Sequence, residues 1–304
     1  MGRIAFVFSG QGDQKVGMCR DLYETDPTFR AVLEKLDKVH HGLLDSIYNS
    51  SDEELMKTIN TQPALYAVET AISSLLTQMG VKADVVAGFS LGEIAALSYA
   101  GSFSRESGMH IVSKRAEFMQ EDSEKYDAIM TAVLRLDEDK VNEIADKYDY
   151  VFPVNFNCPG QIVCSGLENE IKSFEADVKE NGGRCIRLSV KGAFHSPFMN
   201  EASEKFAAFL DTTIVDLPSI PAYSNFLGTP YGNSVKDVLA EQIKSPVLWQ
   251  KIIEDMISNG VGTFIEIGPG TTLSSIIKKI NKEVKVYSTG NVEAIEKIKE
   301  EVLC

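Results

Sequence analysis

The chain has 304 residues, 44% of them hydrophobic, and a formal charge of −14 from 30 lysines and arginines against 44 aspartates and glutamates. That length allows one large domain or two smaller ones with a sizeable core, and the composition excludes a disordered chain. The acidic balance excludes a general nucleic-acid binder, which needs a basic face, and obliges any acidic partner to find a local basic patch.

Residues 3–8 read as a buried first strand, followed by the glycine-rich loop "SGQGDQKVGM". The run "IAFVF" is too short for a signal-peptide core and lacks a small-residue cleavage site. Residues 20–80 read as helices, and "TQPALYAVETAISSLLTQMG" carries apolar residues at helical spacing up to Gly80. A short buried strand is expected at 84–88, a helix at 91–100, and a further helix over "SRESGMHIVSKRAEFMQEDSEKY". The pattern then becomes strand, helix, strand, strand, helix, strand over 128–190, the ferredoxin-like order. It reads as a small subdomain inserted into a discontinuous main domain of residues 1–127 and 191–304. The main domain resumes with "FHSPFMNEASEKFAAFL", the strand "PAYSNF", the helix "VLWQKIIEDMISNG" and the strand "TFIEIGPG". Strands alternating with helices imply an α/β fold with a mostly parallel sheet. No apolar run approaches the ~18 residues of a membrane span. The five cysteines form no CxxC pair, and an odd count without metal spacing fits a reducing cytoplasm.

Gly88-Phe89-Ser90-Leu91-Gly92 fits G-x-S-x-G between a strand and a helix. In that setting a tight turn exposes the serine oxygen at a helix N-terminus, where the dipole favours developing negative charge. The same residues also fit a helix N-cap serine with Glu93 as its capping-box partner. A nucleophilic serine needs a base, and the chain has four histidines. His40 and His41 lie in a charged stretch and His110 within a helix, whereas His195 lies in the loop "VKGAFHSPF", where catalytic residues gather. His195 is the best candidate base. "FSGQGDQ" is neither a dinucleotide fingerprint nor a phosphate-binding loop, because the third glycine and the lysine are missing. It remains a glycine turn at the carboxyl end of a strand, where open α/β sheets bind ligands.

At this point the sequence resembles malonyl-CoA:acyl-carrier-protein transacylases of bacterial fatty acid synthesis and the related acyltransferase domains of polyketide synthases. Eight stretches carry the resemblance in order: "GQGDQ" (10–14), "TQPAL" (61–65), "GFSLGE" (88–93), "KRAEFMQ" (114–120), "NCPGQIVCSG" (157–166), "GAFHSPFM" (192–199), "SPVLW" (245–249) and "IEIGPG" (265–270). The family's fold is a hydrolase-like α/β domain with a ferredoxin-like insertion. The resemblance implies Ser90 as acylated nucleophile, His195 as base and Gln242 as a residue that helps to orient it. It implies backbone N–H groups of Gln11 and Leu91 as the oxyanion hole and Arg115 as the arginine that binds the malonyl carboxylate. Asn157, Phe194, Phe89 and Met119 are implied around the substrate pocket. Most members carry histidine where this chain has Phe89, which puts the shape or polarity of the pocket in question.

The implied reaction moves malonyl from malonyl-CoA to the phosphopantetheine thiol of an acyl carrier protein, through a serine ester and without cofactor or metal. A cytoplasmic monomer, with neither membrane nor nucleic acid as partner, is expected. Arg184, Lys278 and Lys279 are candidates for a basic docking patch. A polyketide acyltransferase acting in trans, or a serine esterase or thioesterase, would share the serine and histidine, and a carrier-docking module with a dead site is a non-enzymatic alternative.

Overall fold

A computed structural model describes residues 2–303. Nine strands form among them: β1 (Arg3–Phe8), β2 (Val85–Gly88), β3 (Ala128–Leu134), β4 (Val151–Cys158), β5 (Gln161–Leu167), β6 (Arg184–Lys191), β7 (Ala222–Tyr223), β8 (Val261–Ile267) and β9 (Lys285–Ser288). Five make a sheet in the order β7-β2-β1-β8-β9, parallel at every pairing. The central strand β1 is apolar throughout its second half because both its faces are covered. Phe6 and Phe8 enter the larger core with Leu65, Val68 and Ile72 of the helix Thr58–Gln78. Ala5 and Val7 enter a second core with Trp249, Ile252 and Met256 of the helix Trp249–Ser258. The alternation of a strand thus feeds two helical layers.

The other four strands form an antiparallel sheet in the order β4-β5-β3-β6, with the helices Glu138–Ala145 and Glu168–Glu180 against one face. This is the ferredoxin-like arrangement. Val133, Cys164, Ile171, Phe174 and Val178 make its own core. Met130, Ala132 and Val163, on the other face, join the main core, so this sheet lies over the main domain. A pocket between the two is lined by Ser90 and Arg115 of the main domain and by Met130, Leu188 and Val190 of this sheet.

Five elements differ from the sequence reading. "PAYSNF" yields only the two-residue β7, because Ser224 and Asn225 leave the sheet to bond elsewhere. The helix Val235–Gln242 lies between two expected elements, and the helix Thr272–Ile280, the strand β9 and the helix Val292–Val302 complete the chain beyond the last one. β9 is an edge strand with one buried residue, Tyr287, so its hydrophobic signal is weak. No helix among the described residues is long and apolar enough to cross a membrane.

Candidate active site

β1 and β2 end side by side, pairing Phe8 with Gly88, and their loops form the floor of the site. A Cβ on Gly88 would fall 1.9 Å from the main chain of Gly92, and one on Gly92 would fall 2.5 Å from the carbonyl oxygens of Phe8 and Ser9. The turn can be this tight only with glycine at both positions. It forces Ser90 to φ 54°, the left-handed region. Among the described residues four non-glycines have positive φ, and two of them are Ser90 and His195 (φ 61°). Such conformations cost about 1–3 kcal/mol each and cluster at functional sites.

The capping-box alternative fails on this geometry. An N-cap serine sits in the extended region and its oxygen serves backbone N–H groups. Here Ser90 Oγ lies 2.7 Å from His195 Nε2. The Ser90 amide donates to Asn225 Oδ1 at 2.7 Å, and Asn225 Nδ2 donates to Gly88 O at 2.7 Å. Glu93 turns inward, accepting from Tyr231, Asn225 and Gln242.

His195 is buried, with Nδ1 3.0 Å from the main-chain oxygen of Gln242. A carbonyl only accepts, so Nδ1 carries the proton and Nε2 is free to accept from the serine. Burial, assisted by the charge of Arg115, pushes His195 down to about 4. The imidazole is therefore neutral at neutral pH.

Arg115 comes from the helix Arg105–Ser123, capped by Ser104. It is completely buried. Nη1 donates to Gln62 Oε1 at 2.7 Å; Nη2 donates to Gln242 Oε1 at 2.8 Å and to Ser90 Oγ at 3.2 Å. Nε has no partner among the described residues, and no carboxylate pairs with the guanidinium. Burial lowers its affinity for the proton to about 10, so it stays charged.

Above Ser90 lies a small pocket of roughly 80 Å³ of free space. Gln11, Leu91, Arg115, Met119, Phe89, Phe194 and His195 all line it. The amides of Gln11 and Leu91 make no hydrogen bond to another described residue, so both donors are available. Gln242 lies behind the pocket, its side chain on Arg115, Ser90 O and Glu93, so only its main chain orients the histidine. Asn157 does not line the pocket; Asn155 does, together with Gln62, Met130, Leu188 and Val190. Asn157 falls where the β4–β5 pairing slips between Phe156 and Cys158, a shift that no sequence pattern announces. Arg184, Lys278 and Lys279 lie outside the pocket. Lys278 Nζ is spent on the carbonyls of Lys282 and Val284, and Lys279 donates to Gln161. Among the described residues no group of three or more His, Cys, Asp or Glu is placed to hold a metal ion.

A parallel α/β sheet with a strained serine, a neutral histidine and free amides at its carboxyl edge defines an acyl-transfer protein. The chain belongs to the acyl transferase domain family, whose profile spans residues 5–300. It is 38% identical to a malonyl CoA-acyl carrier protein transacylase of Bacillus subtilis, over 97% of this chain and 96% of that protein. The solved transacylase of the same description from Clostridium perfringens superposes with a TM-score of 0.95 at 36% identity, covering 99% of this chain and 97% of that one. A malonyl-transacylase solved in complex with its type II PKS acyl-carrier protein gives a TM-score of 0.95 at 30% identity, over 98% and 99% of the two chains.

Proposed function

We propose that this protein transfers malonyl from malonyl-CoA to the phosphopantetheine thiol of an acyl carrier protein, supplying extender units for fatty acid biosynthesis. The observation that carries the reading is the placement of a buried arginine without an acidic partner 3.2 Å from the serine oxygen. A buried cation with no acidic partner and an unpaired Nε suits an acyl group that ends in a carboxylate.

His195 takes the Ser90 proton through Nε2 as Oγ attacks the thioester carbonyl. The oxyanion forms between the amides of Gln11 and Leu91, each typically worth about 3–4 kcal/mol in the transition state. The tetrahedral intermediate collapses, the C–S bond breaks, and the CoA thiolate leaves with the proton from His195. The carrier thiol then enters and the steps run in reverse, which is ping-pong transfer through a malonyl-serine ester. The site's fixed groups are all on the protein, and CoA and phosphopantetheine arrive with the substrates.

The carrier's arm has a path along β6. Val190 and Leu188 line the pocket, Ile186 on the same strand is 43% exposed, and Arg184 stands at the far end. Six residues of strand span up to about 20 Å, comparable to an extended phosphopantetheine arm. Arg184 and Lys279 remain the candidates for contact with an acidic carrier; Lys278 is the weaker one, because its ammonium is already bonded within its own chain.

The test is intact-mass analysis after mixing with malonyl-CoA, acetyl-CoA or methylmalonyl-CoA, followed by addition of holo-carrier protein. A malonyl adduct that passes to the carrier thiol is expected. Release of malonate to water at the same rate without carrier would make the protein a thioesterase instead.

A further inference from the structure

Glu93 is fully buried in the first turn of the helix Gly92–Tyr99, three residues beyond Ser90, and the steps above make no use of it. Its carboxylate gathers donors from separate parts of the chain. Tyr231 donates its hydroxyl to Oε1; the Asn225 amide and Gln242 Nε2 donate to Oε2 at 3.1 and 3.0 Å. Two of these donors hold the site directly. Asn225 brackets the serine turn through Ser90 N and Gly88 O. Gln242 donates to Ser90 O at 2.7 Å and accepts from Arg115 at 2.8 Å.

A primary amide has one accepting end and one donating end. With a carboxylate and a carbonyl at its nitrogen, Gln242 can offer only oxygen to Arg115. Glu93 thereby sets the orientation of that amide. It also balances the guanidinium from a distance. A carboxylate placed directly on Arg115 would occupy the fork that a substrate carboxylate needs.

We propose that Glu93 is a positioning residue for acyl-group selection: acting through Gln242 and Asn225, its carboxylate holds the Arg115 fork and the Ser90 turn in the geometry that accepts a carboxylate-bearing acyl group. The inference rests on the reading of Arg115 given above. Burial pushes Glu93 up to about 7, opposed by its hydrogen bonds and by the charge of Arg115. The ionisable groups that face it are Tyr231, from the segment after β7, and Arg115. On protonation, Glu93 gains a donor amid three donors and releases its hold. Malonyl acylation therefore falls as pH drops through about 7, while acetyl acylation persists until His195 titrates near 4.

The experiment follows Ser90 acylation by malonyl-CoA and by acetyl-CoA in the wild type, E93Q and R115A, from about pH 5 to 9. E93Q is expected to lower the malonyl-to-acetyl rate ratio by about tenfold or more and to abolish the acid limb seen only with malonyl-CoA. An unchanged ratio, or equal loss with both donors, overturns the inference. R115A separates the two claims. If R115A keeps the ratio, the reading of Arg115 fails; if R115A loses it and E93Q does not, the role of Glu93 alone fails. Should E93Q not fold, Y231F removes one bond to the carboxylate and is expected to move the malonyl acid limb to higher pH. A limb that stays in place overturns the inference.

Discussion

The imidazole of His195 is oriented by the main-chain oxygen of Gln242, 3.0 Å from Nδ1, and not by a carboxylate. A main-chain acceptor fixes the tautomer as well as a carboxylate does, but lends no charge to the imidazolium that forms. Burial and Arg115 keep the ring neutral above about pH 4, so a base is ready throughout the neutral range. His195→Ala should slow acylation by about 10²–10⁴-fold, and Ser90→Ala should form no acyl adduct. Both follow from time-resolved intact mass. Near-normal acylation in the His195 variant would move the base elsewhere.

Phe89 stands where the family resemblance leads one to expect histidine. Its ring packs edge-to-face on Trp249, with centroids 5.4 Å apart, and lies over Gly10, where an added Cβ would come within 2.8 Å of it. The ring also lines the pocket. Its contacts are packing contacts, and none connects it to the Ser90–His195 pair by a hydrogen bond. Phe89→His is therefore expected to change acylation by about tenfold or less in either direction. A much larger gain would show that the pocket is tuned to another acyl group.

Much of this site was readable because its signals are local. The G-x-S-x-G turn, the strand before it and the loop histidine each occupy a few consecutive residues. The fold class followed from the same kind of signal, alternation of strands and helices. What escaped was tertiary. Gln62 meets Arg115 across 53 positions, and Asn225 meets Ser90 across 135, so neither could be assigned a role from spacing. Gln62 lies within "TQPAL", one of the stretches that carry the family resemblance. Glu93 looked like a capping residue because its spacing from Ser90 is right; only the left-handed backbone of the serine redirects it. Asn155 lines the pocket and Asn157 does not.

Glu69 offers a test of stability apart from catalysis. It is fully buried, one oxygen accepting from Ser9 Oγ at 2.8 Å and the other without a partner among the described residues. Burial, with Asp13 and Glu266 nearby, holds its carboxyl well above the ordinary range. A folded-state value raised above the unfolded one gives stability that is complete at low pH and is lost as pH rises toward the folded value. Glu69→Gln should thus match the wild type below the ordinary glutamate range, near pH 4, and gain on it progressively as pH rises. Thermal melts across that range would show the difference widening; a constant offset would mean that the carboxyl does not titrate on folding.

Under the proposed function, Arg115 selects the acyl group that the site accepts. Taking an isolated charge out of water is costly unless it is paired, and this guanidinium has only amide and hydroxyl oxygens for partners. Under the proposed function a malonyl carboxylate supplies the missing charge, and it meets a planar guanidinium whose geometry lysine cannot reproduce. Breaking one side of such a buried pair costs roughly 3–5 kcal/mol. Arg115→Ala should lower acylation by malonyl-CoA by about 10²-fold or more. Its bond to Ser90 Oγ raises a competing possibility, that the arginine serves the serine instead of the substrate. The acetyl donor separates the two. If Arg115 reads the carboxylate, acetyl-CoA acylation stays level or improves, because an unpaired buried cation is gone, and Arg115→Lys recovers only part of the malonyl rate. If Arg115 serves the serine oxygen, both donors fall together, and the selection of malonyl has to be sought in the shape of the pocket around Phe194 and Met119.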